Sequence, residues 1–162
     1  MSCLAGTGIR SGLAGENDMT TVVPSFEVRI EQGKIQEFAS ATGASDDAFF
    51  GERAVIPPTF LTTARFFWQS AESKAAADHG LDQQRTLHAE QEYVFHGEPP
   101  RAGQILTATS RILERYEKQG RRGGNLIFVT TVMEFRDGAG NLVAEQRSTA
   151  VQTAHAPKDE SQ

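Results

Sequence analysis

The stretch NLIFVTTVMEFRDGAGNLVAEQRSTAVQT, residues 125–153, decides the fold class. Its first part, NLIFVTTVMEF, is β-branched and apolar enough to form a strand that is covered on both faces. RDGAGN is a hairpin signal, and LVAEQRSTAVQT has the pattern of another strand. The stretch therefore predicts a hairpin of two long antiparallel strands.

Two more strands are predicted upstream of this hairpin. In LHAEQEYVFH, residues 87–96, an alternating pattern places Leu87, Ala89, Tyr93 and Phe95 on one face. GEPPRAG then predicts a turn, QILTATSRILERYEK a long strand, and QGRRGG a glycine-rich reversal into the hairpin. Four strands in succession predict an antiparallel sheet.

A short first helix is predicted near the start of the patterned region. In IEQGKIQEFASATG, residues 30–43, helical spacing places Ile35, Phe38 and Ala39 on one face, and Gly43 is a suitable C-terminal stop.

A second helix is predicted over residues 59–80, with Thr59 as its N-cap and Gly80 as its end. Its wide apolar stripe comprises Phe60, Leu61, Ala64, Phe67, Trp68, Ala71 and Ala75. One such helix followed by four strands predicts an α+β domain, in which a curved antiparallel sheet wraps around a central helix. The open edges of such a sheet invite pairing with a second subunit.

Length and composition limit the domain organisation. The 162 residues are enough for one core, and we expect a disordered extension over residues 1–25, one domain over 26–153 and a polar tail over 154–162. We hypothesise that Met19 is the natural start. Cys3 is the single cysteine, which excludes internal disulfides and fits a reducing cytoplasm.

Charge and hydropathy exclude two classes of partner. The net charge of -5 arises from dispersed charges of both signs, so the sequence predicts no nucleic-acid partner. No run approaches the roughly 18 apolar residues that cross a bilayer, so it predicts no membrane partner.

Three motifs in order carry a family resemblance. PPTF before the aromatic helix, LHAEQEYVFHGEPPRAGQIL, and YEKQGRRGGNLIFVTTVMEFRDGAGNLVAEQRSTAVQ together resemble the N-terminal-type MaoC-like dehydratase family, over about residues 26–153. The resemblance implies a hot-dog fold and similarity to the subunits of heteromeric 3-hydroxyacyl dehydratases and enoyl-CoA hydratases. It implies R-specific, reversible hydration of a trans-2-enoyl thioester of coenzyme A or acyl carrier protein to the 3-hydroxyacyl thioester, without a cofactor.

The residues that the family uses for proton transfer are replaced in this chain. Catalytic members carry the motif Gly-Asp-x-Asn-Pro-x-His, which aligns with TGASDDAFF at Gly43. The Asp position then holds Ala44, the Asn position Asp46, the Pro position Asp47 and the His position Phe49. Neither alanine nor phenylalanine can exchange a proton. The resemblance therefore implies that the chain is not catalytic alone.

Asp46, Asp47 and His88 are displaced catalytic candidates. Adjacent acidic residues after a glycine stop are also common as turn or capping groups, and His88 can equally make a structural hydrogen bond. His96 lies eight residues after His88, on the same predicted face and about 26 Å away, which is too far for a shared site. No two histidines have the close spacing of metal ligands, so no metal is predicted.

Four residues are candidates for substrate binding. Arg121 and Arg122, on the glycine-rich reversal, could bind thioester-carrier phosphates or form a solvated hairpin tip. Phe60 and Trp68 could line an acyl tunnel or pack in the core, because the aromatic residues of this helix cannot all face one side.

Three functions stay open at this point. The chain could be the supporting subunit of a heteromeric hydratase or dehydratase whose partner supplies the Asp and His. It could be a non-catalytic homodimer that binds acyl-CoA. It could also be a self-sufficient hydratase that uses displaced residues, such as Asp46 with His88 across a dimer.

Overall fold

The computed structural model describes residues 23–77, 79–121 and 123–154. Residues 1–22 and 155–162 lie outside this range, together with most of the predicted N-terminal extension and C-terminal tail, and so does the predicted start at Met19. None of the helices within the described ranges is long and apolar enough to cross a membrane.

One antiparallel sheet of five strands organises the domain. The strands are β1 (Phe26–Arg29), β2 (Thr86–Phe95), β3 (Ile105–Gln119), β4 (Asn125–Arg136) and β5 (Leu142–Gln152), in the spatial order β1-β3-β4-β5-β2. The four strands predicted from the sequence are β2 to β5. Strand β1 was missed because its four residues are too few for an alternating pattern to be recognised.

The predicted hairpin between β4 and β5 is confirmed. The carboxylate of Asp137 accepts hydrogen bonds from the backbone N–H groups of Ala139 and Asn141, both at 2.9 Å. Gly140 adopts a φ of 86°, which a residue with a side chain rarely accepts. Local side-chain chemistry therefore sets the register of the two strands.

The first helix is also confirmed, as α1 (Gln32–Ala41). Ile35 and Ala39 are fully buried, and Gly43 follows with a φ of 69°. The glycine ends the helix because it can take the left-handed conformation that reverses the chain.

The prediction of one helix over residues 59–80 is wrong. This segment forms a 3-10 turn (Phe60–Thr63), a four-residue helix α2 (Ala64–Phe67) and a separate helix α3 (Ala71–Ala76). The side chain of Thr59 makes no capping hydrogen bond, and the last helix ends before Gly80.

The helix is interrupted because Ser70 starts a new one. The Ser70 hydroxyl accepts the backbone N–H of Ser73 at 3.0 Å, and the fully buried Ser73 hydroxyl donates to the Pro24 carbonyl at 3.1 Å. Gln69 donates to the same Ser73 hydroxyl at 3.2 Å. Serine side chains compete in this way with a continuous helix, and the preceding aromatic residues have low helix propensity.

The core lies between this interrupted segment, α1 and one face of the sheet, which we call the inner face. Phe60 is 1% exposed and meets the Phe38 ring edge-on, with 5.6 Å between ring centroids. The buried cluster comprises Phe26, Val28, Ile30, Ile35, Ala54, Ile56, Phe60, Leu61, Ala64, Leu106, Ala108, Met133, Phe135 and Ala144.

A β-bulge corrects the predicted face pattern of β2. His88 pairs with Ala150 of β5 and Glu90 pairs with Thr149, so Ala89 is an extra residue between them. Directly paired residues share a face, so His88 lies on the inner face together with Tyr93 and Phe95. Leu87, which the alternation placed with Tyr93 and Phe95, is instead on the other face and 55% exposed.

Truncation of Phe60 should destabilise this core. We expect Phe60→Ala to lower the free energy of unfolding by about 3–5 kcal/mol, because it removes a large buried ring and leaves a cavity. Phe66→Ala is the matched control, since Phe66 is 71% exposed, and it should change stability by less than about 0.5 kcal/mol. Chemical denaturation measures both values, and equal losses in the two variants would contradict the assigned core.

Candidate functional site

The loop that follows α1 carries the residues aligned with the catalytic motif. Ala44 is partly buried directly after the helix stop, and the carboxylates of Asp46 and Asp47 are exposed. The Asp46 carboxylate accepts the backbone N–H of Ala48 at 2.8 Å and so caps the 3-10 turn Asp47–Phe49. The aligned Asp position therefore presents a methyl group, and the aligned His position a phenyl ring.

That phenyl ring forms part of an apolar groove between the loop and the C-terminal half of β2. The groove has a volume of about 530 Å³. It is lined by Phe49, Val55, Ile56, Pro58, Tyr93, Phe95 and Pro99. A groove of this volume and lining suits an acyl chain better than a polar ligand.

Tyr93 is the one ionisable residue among those that line the apolar groove. Burial raises the pKa of its phenol, and a hydrogen bond with the Thr62 side chain opposes this shift only in part. The phenol is therefore neutral at physiological pH and can donate a hydrogen bond inside the groove.

The bulge in β2 separates the two histidines that the alternation placed on one face. His88 lies on the inner face, whereas His96 follows β2 and its Nε2 lies 3.0 Å from Oε2 of Glu145 on the outer face. The prediction that both histidines share a face is therefore wrong. Among the described residues, no group of three or more His, Cys, Asp or Glu is placed to hold a metal ion.

A second, basic cavity lies on the inner face, between α3 and strands β2, β4 and β5. Its outer part has a volume of about 490 Å³, and its inner part about 90 Å³. Both parts are lined by Arg65, Lys74, Ala77, His79, Thr131 and Ser148. His88, Val129 and Ala150 also line the outer part, and Gln69, Ser110, Met133 and Gln146 also line the inner part.

The predicted substrate-binding residues lie apart from one another. Arg121 is exposed on the turn between β3 and β4, and Arg122 is outside the described residues. Phe60 is in the core, and Trp68 is partly buried against it, edge-on to Phe67 at 5.6 Å. Neither aromatic residue is among those that line the apolar groove.

Sequence reasoning missed both the groove and the cavity as sites. The groove combines residues from segments that are far apart in sequence, and the motifs in these segments do not show that their side chains meet. For the cavity a signal existed, because strand β5 alternates small and polar residues on its inner face: Ala144, Gln146, Ser148 and Ala150. Polar residues at inward positions point to something other than a dry core.

A family model for the "FAS1-like, dehydratase domain region" matches residues 17–146 of the chain. The comparison with curated proteins gives no match. Among solved structures, the C-terminally truncated HadBC complex of Mycobacterium tuberculosis, described as a 3R-hydroxyacyl-ACP dehydratase, is similar with 25% identity and a TM-score of 0.63. The match covers 79% of this chain and 94% of that one.

Two further solved structures share the fold. The ChsH1-ChsH2 complex of M. tuberculosis is 12% identical, with a TM-score of 0.65 over 85% of this chain and 87% of that one. A MaoC-like dehydratase from Phytophthora capsici is 23% identical, with a TM-score of 0.64 over 83% of this chain and 48% of that one. This chain therefore spans about half of the Phytophthora protein.

Replacement of Tyr93 should flatten the alkaline limb of the stability profile. Because the pKa of Tyr93 is raised in the folded state, its contribution to stability is complete below about pH 10 and is lost as the pH rises through the folded pKa. Between pH 8 and pH 11, Tm should therefore fall less steeply in Tyr93→Phe than in the unmodified protein. Tyr116→Phe, outside the groove on β3, is the matched control. Parallel slopes for Tyr93→Phe and the unmodified protein would argue against a buried phenol.

Proposed function

Because this chain belongs to the family of FAS1-like dehydratase domains, within the MaoC-like hot-dog proteins, we propose that it is the supporting subunit of an enoyl-thioester hydratase or 3-hydroxyacyl-thioester dehydratase. The observation that carries the proposal is the pair Ala44 and Phe49, where the family's motif has its Asp and His. A partner subunit then supplies both proton-transfer groups.

The reaction requires groups that this loop lacks. In hydration, a base removes a proton from water, the water oxygen attacks C3 of the enoyl thioester, and an acid returns a proton to C2. A hydrogen-bond donor must also stabilise the negative charge that develops on the thioester oxygen. The Asp46 carboxylate caps the turn by accepting the Ala48 N–H, Asp47 is exposed at the start of the same turn, and Phe49 offers an apolar wall in place of an imidazole.

The apolar groove is the part of the site that this chain contributes. Phe49 lies in it beside Tyr93 and Phe95, so the position of the missing histidine opens onto an apolar surface. An acyl chain held there would lie next to the segment where the family performs its chemistry. The neutral Tyr93 phenol in the lining of this groove is a hydrogen-bond donor.

The edge of β2 is the surface on which a partner would dock. After the bulge, residues 90–95 pair with β5 on one side, and no described strand pairs with the other side. Leu87, Phe66 and Phe67 are large exposed apolar side chains, which a partner could cover. The similar HadBC structure is itself a complex, which supports a heteromeric assembly here.

The second candidate function is a homodimer that binds acyl-CoA without turning it over. The same two substitutions at Ala44 and Phe49 favour it, because they leave the groove intact and remove the proton-transfer groups. The self-sufficient hydratase with Asp46 and His88 is the remaining alternative.

An activity assay separates these functions. Hydration of crotonyl-CoA and of a longer trans-2-enoyl-CoA, followed by loss of enoyl absorbance, should be absent with this chain alone. It should appear when the chain is co-expressed with a hot-dog protein from the same genome that carries Gly-Asp-x-Asn-Pro-x-His.

Two outcomes of this assay would contradict the proposal. Activity of the chain alone that is lost in Asp46→Ala or His88→Ala would assign the self-sufficient enzyme. Saturable binding of the acyl-CoA by a homodimer, with no turnover in any mixture, would assign the binding protein.

A proline placed on the docking edge should separate the subunits. The backbone N–H of His96 donates to the Val143 carbonyl of β5, and every second N–H of an antiparallel strand points to the same neighbour. Gln91 is an odd number of residues from His96, so its N–H points away from β5. Gln91→Pro removes this donor and should lower the activity of the mixture at least 10-fold, with the two proteins eluting separately in gel filtration.

Glu27→Pro is the matched control, because it removes an outward N–H from the opposite edge strand β1 and should leave the complex intact. Circular dichroism checks that both variants are folded. If Glu27→Pro separated the subunits and Gln91→Pro did not, the interface would lie on the β1 edge and the proposed docking on β2 would be wrong.

A further inference from the structure

The geometry of the basic cavity points to a binding site for a small organic anion: we propose that it takes a phosphate or carboxylate that is joined to a hydrogen-bond-donating hydroxyl or amide. This site is distinct from the apolar groove. His88 of the cavity and Tyr93 of the groove are five residues apart on β2, which corresponds to about 16 Å.

The charge of the lining is the first argument. Arg65 and Lys74 bring positive charge to the outer part of the cavity, His79 and His88 line it with imidazole rings, and the described lining residues include no aspartate or glutamate. Among the described residues, no carboxylate forms an ion pair with Arg65 or Lys74. The chain as a whole has 21 acidic and 16 basic residues, so a lining of one positive sign departs from its composition.

The second argument is a buried hydrogen-bond acceptor without a donor. Gln146 is 5% exposed, and its Oε1 has no hydrogen-bond partner in the structure. An unpaired buried polar group costs about 1–3 kcal/mol, so such atoms are normally satisfied. Since Gln146 lines the inner part of the cavity, a ligand that donates an O–H or N–H there would satisfy it.

The walls of the cavity fit the same chemistry. Thr131, Ser148 and Ser110 place hydroxyl groups on the inner face, where Phe135 and Ala144 form apolar core further along the same strands. The outer volume of about 490 Å³ falls within the usual range for small-molecule sites, about 300–1,000 Å³. The Thr131 hydroxyl donates to the Ser148 carbonyl at 3.4 Å, whereas an unsubstituted alkyl chain would offer no hydrogen bond to the hydroxyl groups of Ser110 and Ser148.

A further arginine contacts the backbone of a residue that lines the cavity. Arg115 of β3 donates from its Nη1 to the backbone carbonyl of His79 at 2.9 Å. This hydrogen bond fixes the segment after α3 against the sheet and places a positive charge next to His79, which lines both parts of the cavity. The cavity is therefore supported from both α3 and β3.

Two sources could supply this chemistry, and direct binding measurements distinguish them. Pantetheine 4′-phosphate carries a phosphate, a hydroxyl and amide N–H groups. It represents the arm that carries the acyl group in a thioester of coenzyme A or acyl carrier protein. 3-Hydroxyadipate carries carboxylates and a hydroxyl, as an acyl group with an acidic end would. Hexanoate has a carboxylate but no donor and serves as the comparison ligand.

Isothermal titration calorimetry of the purified chain alone tests the proposal. We expect saturable binding of pantetheine 4′-phosphate or 3-hydroxyadipate, at least 10-fold tighter than that of hexanoate and weakened by added salt. Because no turnover is measured, failure here is distinguishable from failure of the proposed hydratase function. Absence of saturable binding of both probes at concentrations of several millimolar would overturn the site.

Three variants locate the binding. Arg65→Gln and Gln146→Leu should each weaken the bound probe at least 10-fold, and Gln146→Leu should fold well because it removes an unpaired buried acceptor. Arg121→Gln makes the same change of charge at the competing phosphate site that the sequence predicts on the exposed β3–β4 turn, and binding in the cavity requires that it leave affinity unchanged. If Arg121→Gln weakened binding of the probe and Arg65→Gln did not, the binding site would lie on the turn and not in the cavity. Unchanged affinity in Gln146→Leu would refute the predicted hydrogen bond from the probe to Oε1 of Gln146.

Discussion

A buried serine hydroxyl fixes the path of the chain across the inner face of the sheet. Ser73 is fully buried and joins the Pro24 carbonyl, next to β1, to the Gln69 amide at the start of α3. A buried polar group must form its hydrogen bonds with protein groups that are close in space, because water cannot reach it. The segment that contains residues 69–76 is therefore tied to the N-terminal side of the domain, and a continuous helix cannot cover the sheet.

Interruption of the helix divides the inner face into two environments. At one end, Phe60, Phe135 and Ala144 pack as a dry core and support the apolar groove. At the other end, Thr131 and Ser148 are left under the short helix α3, where Arg65 and Lys74 line the same cavity. One sheet thus carries an apolar groove and a polar cavity at opposite ends, with residues of the edge strand β2 in the lining of both.

Local chemistry made part of this structure predictable. The hairpin between β4 and β5 and the end of α1 at Gly43 depend on residues close in sequence, and the sequence alone predicts both. The break at Ser70 was not predictable in this way, because it depends on Pro24, 49 residues before Ser73. The bulge at Ala89 likewise depends on the pairing of β2 with β5. Ala44 and Phe49 were recognised through alignment to a family motif, whereas the groove and the cavity require the three-dimensional register of several strands.

The bulge at Ala89 also limits what can be added to the sheet. A bulge breaks the regular spacing of the hydrogen-bonding groups on a strand and increases its twist. An incoming strand therefore finds regular pairing along residues 90–95 and loses it beyond them. A short, twisted edge of this kind accepts a single matched strand, yet it is a poor template for the repeated stacking that leads to amyloid-like aggregation. The irregularity that turns His88 inward thus also limits repeated stacking of further strands along this edge.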